Sequence, residues 1–390
     1  MKKVLFVGEE LSDIDARFSK HLEFFKRNGY EVHLLGRDNH ADIDHTDQMI
    51  DFDFTVKTGF NVERKQIKQL QALLLEEKYT AIISYEDIPG YLIRMAAKSA
   101  FKPEQRPKIF YLAIEYPFYR NPNGKEEKKC FERHKKAGRV TDLVIVANDT
   151  DLHIAEEFNF SMDTIVKLYG MGVEPIAEKI RDLDSETVRK QYRLNNDYII
   201  ALYDNDYEED KNHMFLIENI MPIVERFPNF KLVCNGRGGF LPQLREAAEK
   251  AGVHKNIVFL EKEDVSDLYA ICDVYISPSL IEGVPRGIVH ALECHLPVLA
   301  ARTKGNVDLI EEGENGVLFG PDNCGDFIAK LYVLLQSSDL REQFAKQKNT
   351  FVENYFTDYA QKHIFNYYRK MIVEDSSRVL NTTSNFNEEE

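Results

Sequence analysis

Long apolar runs are missing from this chain: no segment approaches the ~18 residues that a membrane-crossing helix needs. The opening MKKVLFVGEEL has only four apolar residues after its lysines, too few for a secretory leader, and it reads as the start of a strand. Cysteine is sparse. The five residues, at positions 130, 234, 272, 294 and 324, form no C-x-x-C pair and no metal-ligand spacing, so they read as reduced thiols of a cytoplasmic protein. Basic charge is in deficit as well. A net charge of −15 argues against general nucleic-acid binding, which needs basic surface, and weakens the case for a strongly anionic membrane partner.

What is present describes a globular chain long enough for two domains. It has 390 residues, 43% of them hydrophobic and 29% charged. Lys3 to Gly8 is an apolar run closed by glycine, the expected first strand of a doubly wound sheet. Phe18, Leu22 and Phe25 keep helical spacing up to a stop at Asn28-Gly29, and Glu31 to Gly36 is a second strand. Further strands are expected at 81–84, 108–113, 142–147 and 165–169, with helices over 66–77 and 92–99. Asn121 to Lys136 is polar and basic, which predicts a solvated helix or, more sharply, a docking patch for an acidic or lipid-phosphate acceptor.

The most informative stretch runs from Ala270 to Phe319. Asp273 to Ser279 is a short buried strand, Glu282-Gly283-Val284-Pro285 a turn, Arg286 to Cys294 an amphipathic helix, and Leu296 to Ala300 another strand. Strand, turn, helix, strand is a βαβ unit whose turn lies where open parallel sheets bind ligands. The helix start offers free N–H groups to a phosphate, and Glu282 is a carboxylate acceptor for hydroxyls, so the pair suits a phosphorylated polyol. The plainer account is that Glu282 only caps the helix and Gly283 only makes the turn.

This segment resembles the donor-binding element of the retaining glycosyltransferases of family 4. Their pattern is matched by Ser279, Glu282-Gly283-Val284-Pro285-Arg286, Ala291 and Leu296-Pro297-Val298, and then by Gly305, Asp308-Leu309-Ile310, Asn315-Gly316 and Pro321-Asp322. Lys211 stands at a phosphate-binding lysine position before a helix, and Gly236-Arg237 in a turn that approaches the nucleotide. The chain departs from the pattern at three places. Tyr203 takes an arginine position, His290 takes that of a second glutamate, with Glu293 three residues later, and Ile114-Glu115 replaces a histidine.

The resemblance implies the α/β GT-B fold, two Rossmann-like domains with parallel sheets facing a central cleft. The expected domains are an acceptor-side domain over 1–175, a linker over 176–192 and a donor-side domain over 193–355. A closing helix over 356–373 would cross back, followed by a disordered tail over 374–390. It also implies sugar transfer from a nucleotide-sugar donor to a glycan, lipid-linked or other acceptor, with retention of anomeric configuration, as in polysaccharide biosynthesis. No metal and no cofactor are expected, the nucleotide sugar serving as co-substrate. Glu282, Lys211 and Glu115 are the catalytic candidates; on the bare sequence Lys211 is equally a solvated charge and Glu115 a solvated loop residue. Gly236, Arg237, Gly283, Val284, Pro285, Arg286, His290 and Tyr203 are the donor-binding candidates, and Arg286, Arg237 or Lys304 would make up for the cation lost at Tyr203. The protein is expected in the cytoplasm, with peripheral contact at the inner membrane face as its one membrane option. The three departures favour a different class, a non-catalytic GT-B subunit or binding module that assists another glycosyltransferase.

Overall fold

The computed structural model describes residues 2–39, 42–54 and 60–374. The expected tail over 374–390 lies outside the described residues apart from Glu374. The chain divides into two compact units, Met1–Met171 with Ala360–Glu390, and Gly172–Tyr359. Each is a parallel sheet between helices.

The first unit carries β1 (Lys2–Glu10), β2 (Tyr30–Arg37), β3 (Gln48–Asp51), β4 (Ala81–Ser84), β5 (Lys108–Ala113), β6 (Leu143–Val146) and β7 (Thr164–Lys167). Their order in the sheet is β3-β2-β1-β4-β5-β6-β7, every pairing parallel. Strands buried on both faces need unbroken apolar runs, and AIIS, KIFYLA and LVIV supply them. Ile14, Phe18, Leu22 and Phe25 recur every third or fourth residue along the helix Leu11–Arg27 and pack on one face. The chain's last described helical turns join the same core through Ile364, Tyr368 and Ile372. The basic segment forms the helix Lys125–Gly138, which buries Cys130, Phe131, His134 and Ala137. Three of its cations are paired, Lys129 with Glu126, Lys135 with Glu132 and Arg133 with Asp87.

The second unit carries β8 (Ile199–Asp204), β9 (Phe230–Asn235), β10 (Ile257–Leu260), β11 (Val274–Ser277), β12 (Val298–Ala301) and β13 (Gly316–Phe319). Their order is β10-β9-β8-β11-β12-β13, again all parallel. The direction of winding reverses between β8 and β11 here, as it does between β1 and β4 in the first unit. Ligands in open α/β sheets sit outside the carboxyl ends of the strands at that reversal. The stretch read as a linker, 176–192, contains two short helices, Ala177–Ile180 and Ser185–Gln191. Arg189 ties it down by donating to the carbonyls of Asn195, Tyr198 and Ile271. Among the described residues no helix is long and apolar enough to cross a membrane.

Candidate functional site

A cavity of about 350 Å³ opens at the β8/β11 reversal of the second unit. It is built from four chain crossings, each just past the end of a strand. Asp204 ends β8, with Asn205 and Asp206 after it; Asn235 ends β9, with Gly236 and Arg237 after it; Lys262 and Glu263 follow β10; and Glu282 to His290 follow β11. Two glycines permit the close approach. A Cβ on Gly236 would stand 2.1 Å from the Asn205 carbonyl oxygen, and one on Gly287 would stand 1.8 Å from the Tyr275 hydroxyl. Only hydrogen at those positions lets the turn meet the β8 loop, and lets the helix Arg286–Glu293 start against β11.

Glu282 is buried. Its Oε1 accepts from Asn205 Nδ2 at 2.7 Å and lies 3.8 Å from Lys211 Nζ. Lys211 is buried too, pairing with Asp210 at 3.0 Å and donating to the Ile281 carbonyl at 3.2 Å. A lysine and a glutamate taken out of water keep their charges only as partners, so the loop after β8 and the turn after β11 are held together electrostatically. Leu280 N–H donates to the Asp210 carbonyl, and Asn212 Nδ2 to the Pro278 carbonyl, completing the stitch.

The remaining candidates separate into those on the wall and those behind it. Gly236, Arg237, Val284, Arg286 and His290 line the cavity. Gly283 and Pro285 are buried in the turn itself, with Pro285 as the residue preceding the first helical turn. Tyr203 stands behind the wall. It is fully buried, its hydroxyl donates to the Lys211 carbonyl at 2.6 Å and meets Ser279 Oγ at 2.8 Å, and burial raises its phenol pKa. The residues that the β8 loop turns toward the cavity are Asp204 to Asp206, which no apolar pattern could have singled out. Lys304 is also buried and off the lining, so it is not the compensating cation. Glu115 belongs to the other unit, where it lines a pocket of its own.

Charge on the wall is mixed. Asp204, Asp206, Glu263 and Glu282 face Arg237, Lys262 and Arg286. Several of these groups are already engaged. Asp204 accepts from Asn235 Nδ2 at 2.8 Å and from the Tyr269 hydroxyl at 3.1 Å. Asp206 accepts the Arg237 N–H at 3.1 Å, and the Arg237 guanidinium pairs with Glu263 at 2.8 Å. Arg286 projects, exposed, from the helix start, where dipole and cation add for an anion. Burial lowers the pKa of His290, and its Nε2 meets the Glu174 carbonyl at 3.1 Å, which only an N–H can satisfy. Glu293 is a scaffold group, accepting the backbone N–H groups of Ile176 and Ala177. The lining can therefore hold an anion at the helix start and hydroxyls at Glu282.

Residues 184–351 match the family model of the glycosyl transferases group 1. The putative glycosyltransferase EpsD of Bacillus subtilis is 22% identical over 351 residues, 89% of this chain and 91% of its own. An Escherichia coli UDP-Gal:alpha-D-GlcNAc-diphosphoundecaprenol alpha-1,3-galactosyltransferase is 22% identical over 82% of this chain and 84% of its own. Among solved structures, Anabaena HepE in complex with UDP superposes with a TM-score of 0.70 at 16% identity, covering 95% of this chain and all of that one.

Proposed function

We propose that the chain, a glycosyltransferase of the GT-B type with the group 1 match over residues 184–351, transfers a sugar from a nucleotide-sugar donor to a glycan or lipid-linked hydroxyl with retention. The observation that carries this reading is the buried Asn205–Glu282–Lys211 group beside the start of the helix Arg286–Glu293, at the reversal of the second sheet. A donor sugar there gives its hydroxyl hydrogens to Glu282, whose charge Lys211 supports from behind the wall, while its diphosphate meets the helix start and Arg286. As the bond from the anomeric carbon to phosphate breaks, the electron pair leaves with the diphosphate. The acceptor oxygen bonds to that carbon, and its proton passes to the departing phosphate oxygen. Cations and N–H groups placed where that charge develops stabilise the transition state more than the ground state. In this proposal no metal takes part. Support comes from proteins whose names specify a sugar nucleotide or its nucleotide, the Escherichia coli enzyme with UDP-Gal and Anabaena HepE with UDP.

One observation favours the rival reading of a non-catalytic partner subunit: four lining carboxylates against three lining cations are a poor welcome for a diphosphate. The discriminating experiment mixes the protein with a panel of nucleoside-diphosphate sugars, with and without acceptor glycans, and with a chelator in parallel. Release of nucleoside diphosphate that depends on Glu282 and survives the chelator supports the enzyme. Nucleotide binding without release supports the subunit. An anomeric product inverted relative to the donor removes retention.

A further inference from the structure

The first sheet has a cavity at its own reversal, about 320 Å³, at the ends of β1, β4 and β5. That is within the size range of small-ligand sites, roughly 300 to 1,000 Å³. Its walls carry the carboxylates of Glu9, Glu86 and Glu115, with Arg17 as the one arginine or lysine among the described lining residues. Asp87 lies there as well, but Arg133 grips it through two bonds and cancels its charge. The same grip argues against a metal at Asp87, Cys130 and His134, whose ligand atoms lie within 4.8 Å of one another. Ile114 and Pro117 add an apolar wall. The Tyr85 hydroxyl, on a side chain only 6% exposed, has no hydrogen-bond partner among the described residues.

We propose that this cavity binds an uncharged, hydroxyl-rich ligand, a neutral sugar unit, whose hydroxyls donate to Glu86 and Glu115 and engage Tyr85, and whose carbons meet Ile114 and Pro117. The chemistry follows from the lining. Carboxylates accept from hydroxyls in strong, charge-assisted bonds, whereas a phosphate or uronate would meet like charge on a lining richer in carboxylates than in cations. Glu86 tunes the contact. Burial first, and then the neighbouring charges of Glu9 and Asp13, push its carboxyl up to about 7, while the Glu9 N–H and Arg17 pull the other way. Asp87 with Arg133, and Glu115 beyond β5, complete its charged surroundings. The identification rests on the transferase reading in one respect only. On that reading the ligand is the acceptor, and the acceptor's receiving end is a neutral glycan rather than a sugar phosphate or uronic acid.

The test uses the full chain with no nucleotide present. Methyl glycosides of the common hexoses and N-acetylhexosamines are titrated by ligand-observed NMR beside the 6-phosphate and the 6-uronate of each. At pH 8 at least one neutral glycoside should bind about tenfold tighter than its charged counterparts, and the gap should narrow at pH 6 as Glu86 takes up its proton. Glu86→Gln and Glu115→Gln, shown by melting to be folded, should each weaken the neutral glycoside by about tenfold. Equal or tighter binding of the charged sugars overturns the inference. So does silence from the whole panel up to tens of millimolar, or unchanged binding in both variants. Glycoside binding by a chain that transfers no sugar would leave this inference standing and remove the transferase reading instead.

Discussion

Glu282 sits in a three-way contact that makes its replacement readable. Asn205 donates to the same carboxylate oxygen that faces Lys211, so the amide fixes the carboxylate's orientation while the ammonium supports its charge. Glu282→Gln keeps the shape and removes the charge, leaving Lys211 with Asp210 and the Ile281 carbonyl. The folding cost should be about 1–3 kcal/mol, as for a buried polar group that loses a partner, and not the few tenths typical of an exposed turn. If Glu282 holds the donor as proposed, turnover should fall at least about a hundredfold, since a contact made by a charge is lost in the transition state. Asn205→Ala should lower kcat several-fold and leave the KM for donor within about twofold, because it misorients Glu282 without removing it. Steady-state kinetics and urea melts of both variants check this. An Asn205→Ala enzyme with unchanged kcat would deny the amide its orienting role. His290 carries the opposite expectation. Burial lowers its pKa below the usual 6.5, and its N–H is engaged by the Glu174 carbonyl, so the ring is neutral across pH 6.5 to 8. Nucleoside-diphosphate affinity should then show no step in that range that His290→Gln abolishes.

At the scale of elements, the legible parts were those whose burial is written as composition. Ala81–Ser84 and Lys108–Ala113 are continuous apolar runs, and both strands begin and end where the residue pattern places them. β3 was invisible because Gln48, Met49 and Asp51 are exposed on a sheet edge, where neither alternation nor an apolar run is required. The site was legible where a turn is constrained, at Glu282 to Arg286, and illegible where it is carried by loop side chains such as Asn205 and Asp206. Tyr203 was a site candidate because the resemblance sets it at an arginine position. It points instead into packing with His213, at 4.4 Å between ring centroids. The helix Arg286–Glu293 shows how tightly an element can be tied to one atom. Gly287→Ala would put a methyl group into the Tyr275 hydroxyl, which donates to the Asp204 carbonyl at 3.1 Å. The helix start must then retreat from β11, at a cost of about 1–3 kcal/mol. Adding Tyr275→Phe removes the oxygen but leaves the ring carbon Cζ 2.5 Å from the new methyl group, so it should recover only part of the loss in a denaturant series. If the double variant is no better than the single, the collision is not the cause.

For the molecule as a whole, buried histidines set the acid limit of stability. His21 and His134 in the first unit and His213 in the second are each held by burial at a pKa of about 3, well below the usual 6.5. Between those two values the unfolded chain binds a proton at each site that the folded chain does not. Stability therefore rises with pH across that window and is lost as pH falls below about 6, with a slope of about 1.4 kcal/mol per pH unit for each ring. His33 in the first unit and His290 in the second, also lowered by burial, act in the same direction. His213 allows the cleanest test because, among the described residues, neither of its nitrogens has a hydrogen-bond partner and its ring packs against Tyr203 and Tyr207. His213→Phe keeps that packing and deletes the titration. It should match the wild type within about 1 kcal/mol at pH 8 and exceed it by about 2 kcal/mol at pH 5 in the transition of the second unit. The measurement is a pair of denaturant series at the two pH values, read by far-ultraviolet circular dichroism. If the variant's advantage is the same at both, protonation of His213 is not what limits this unit in acid.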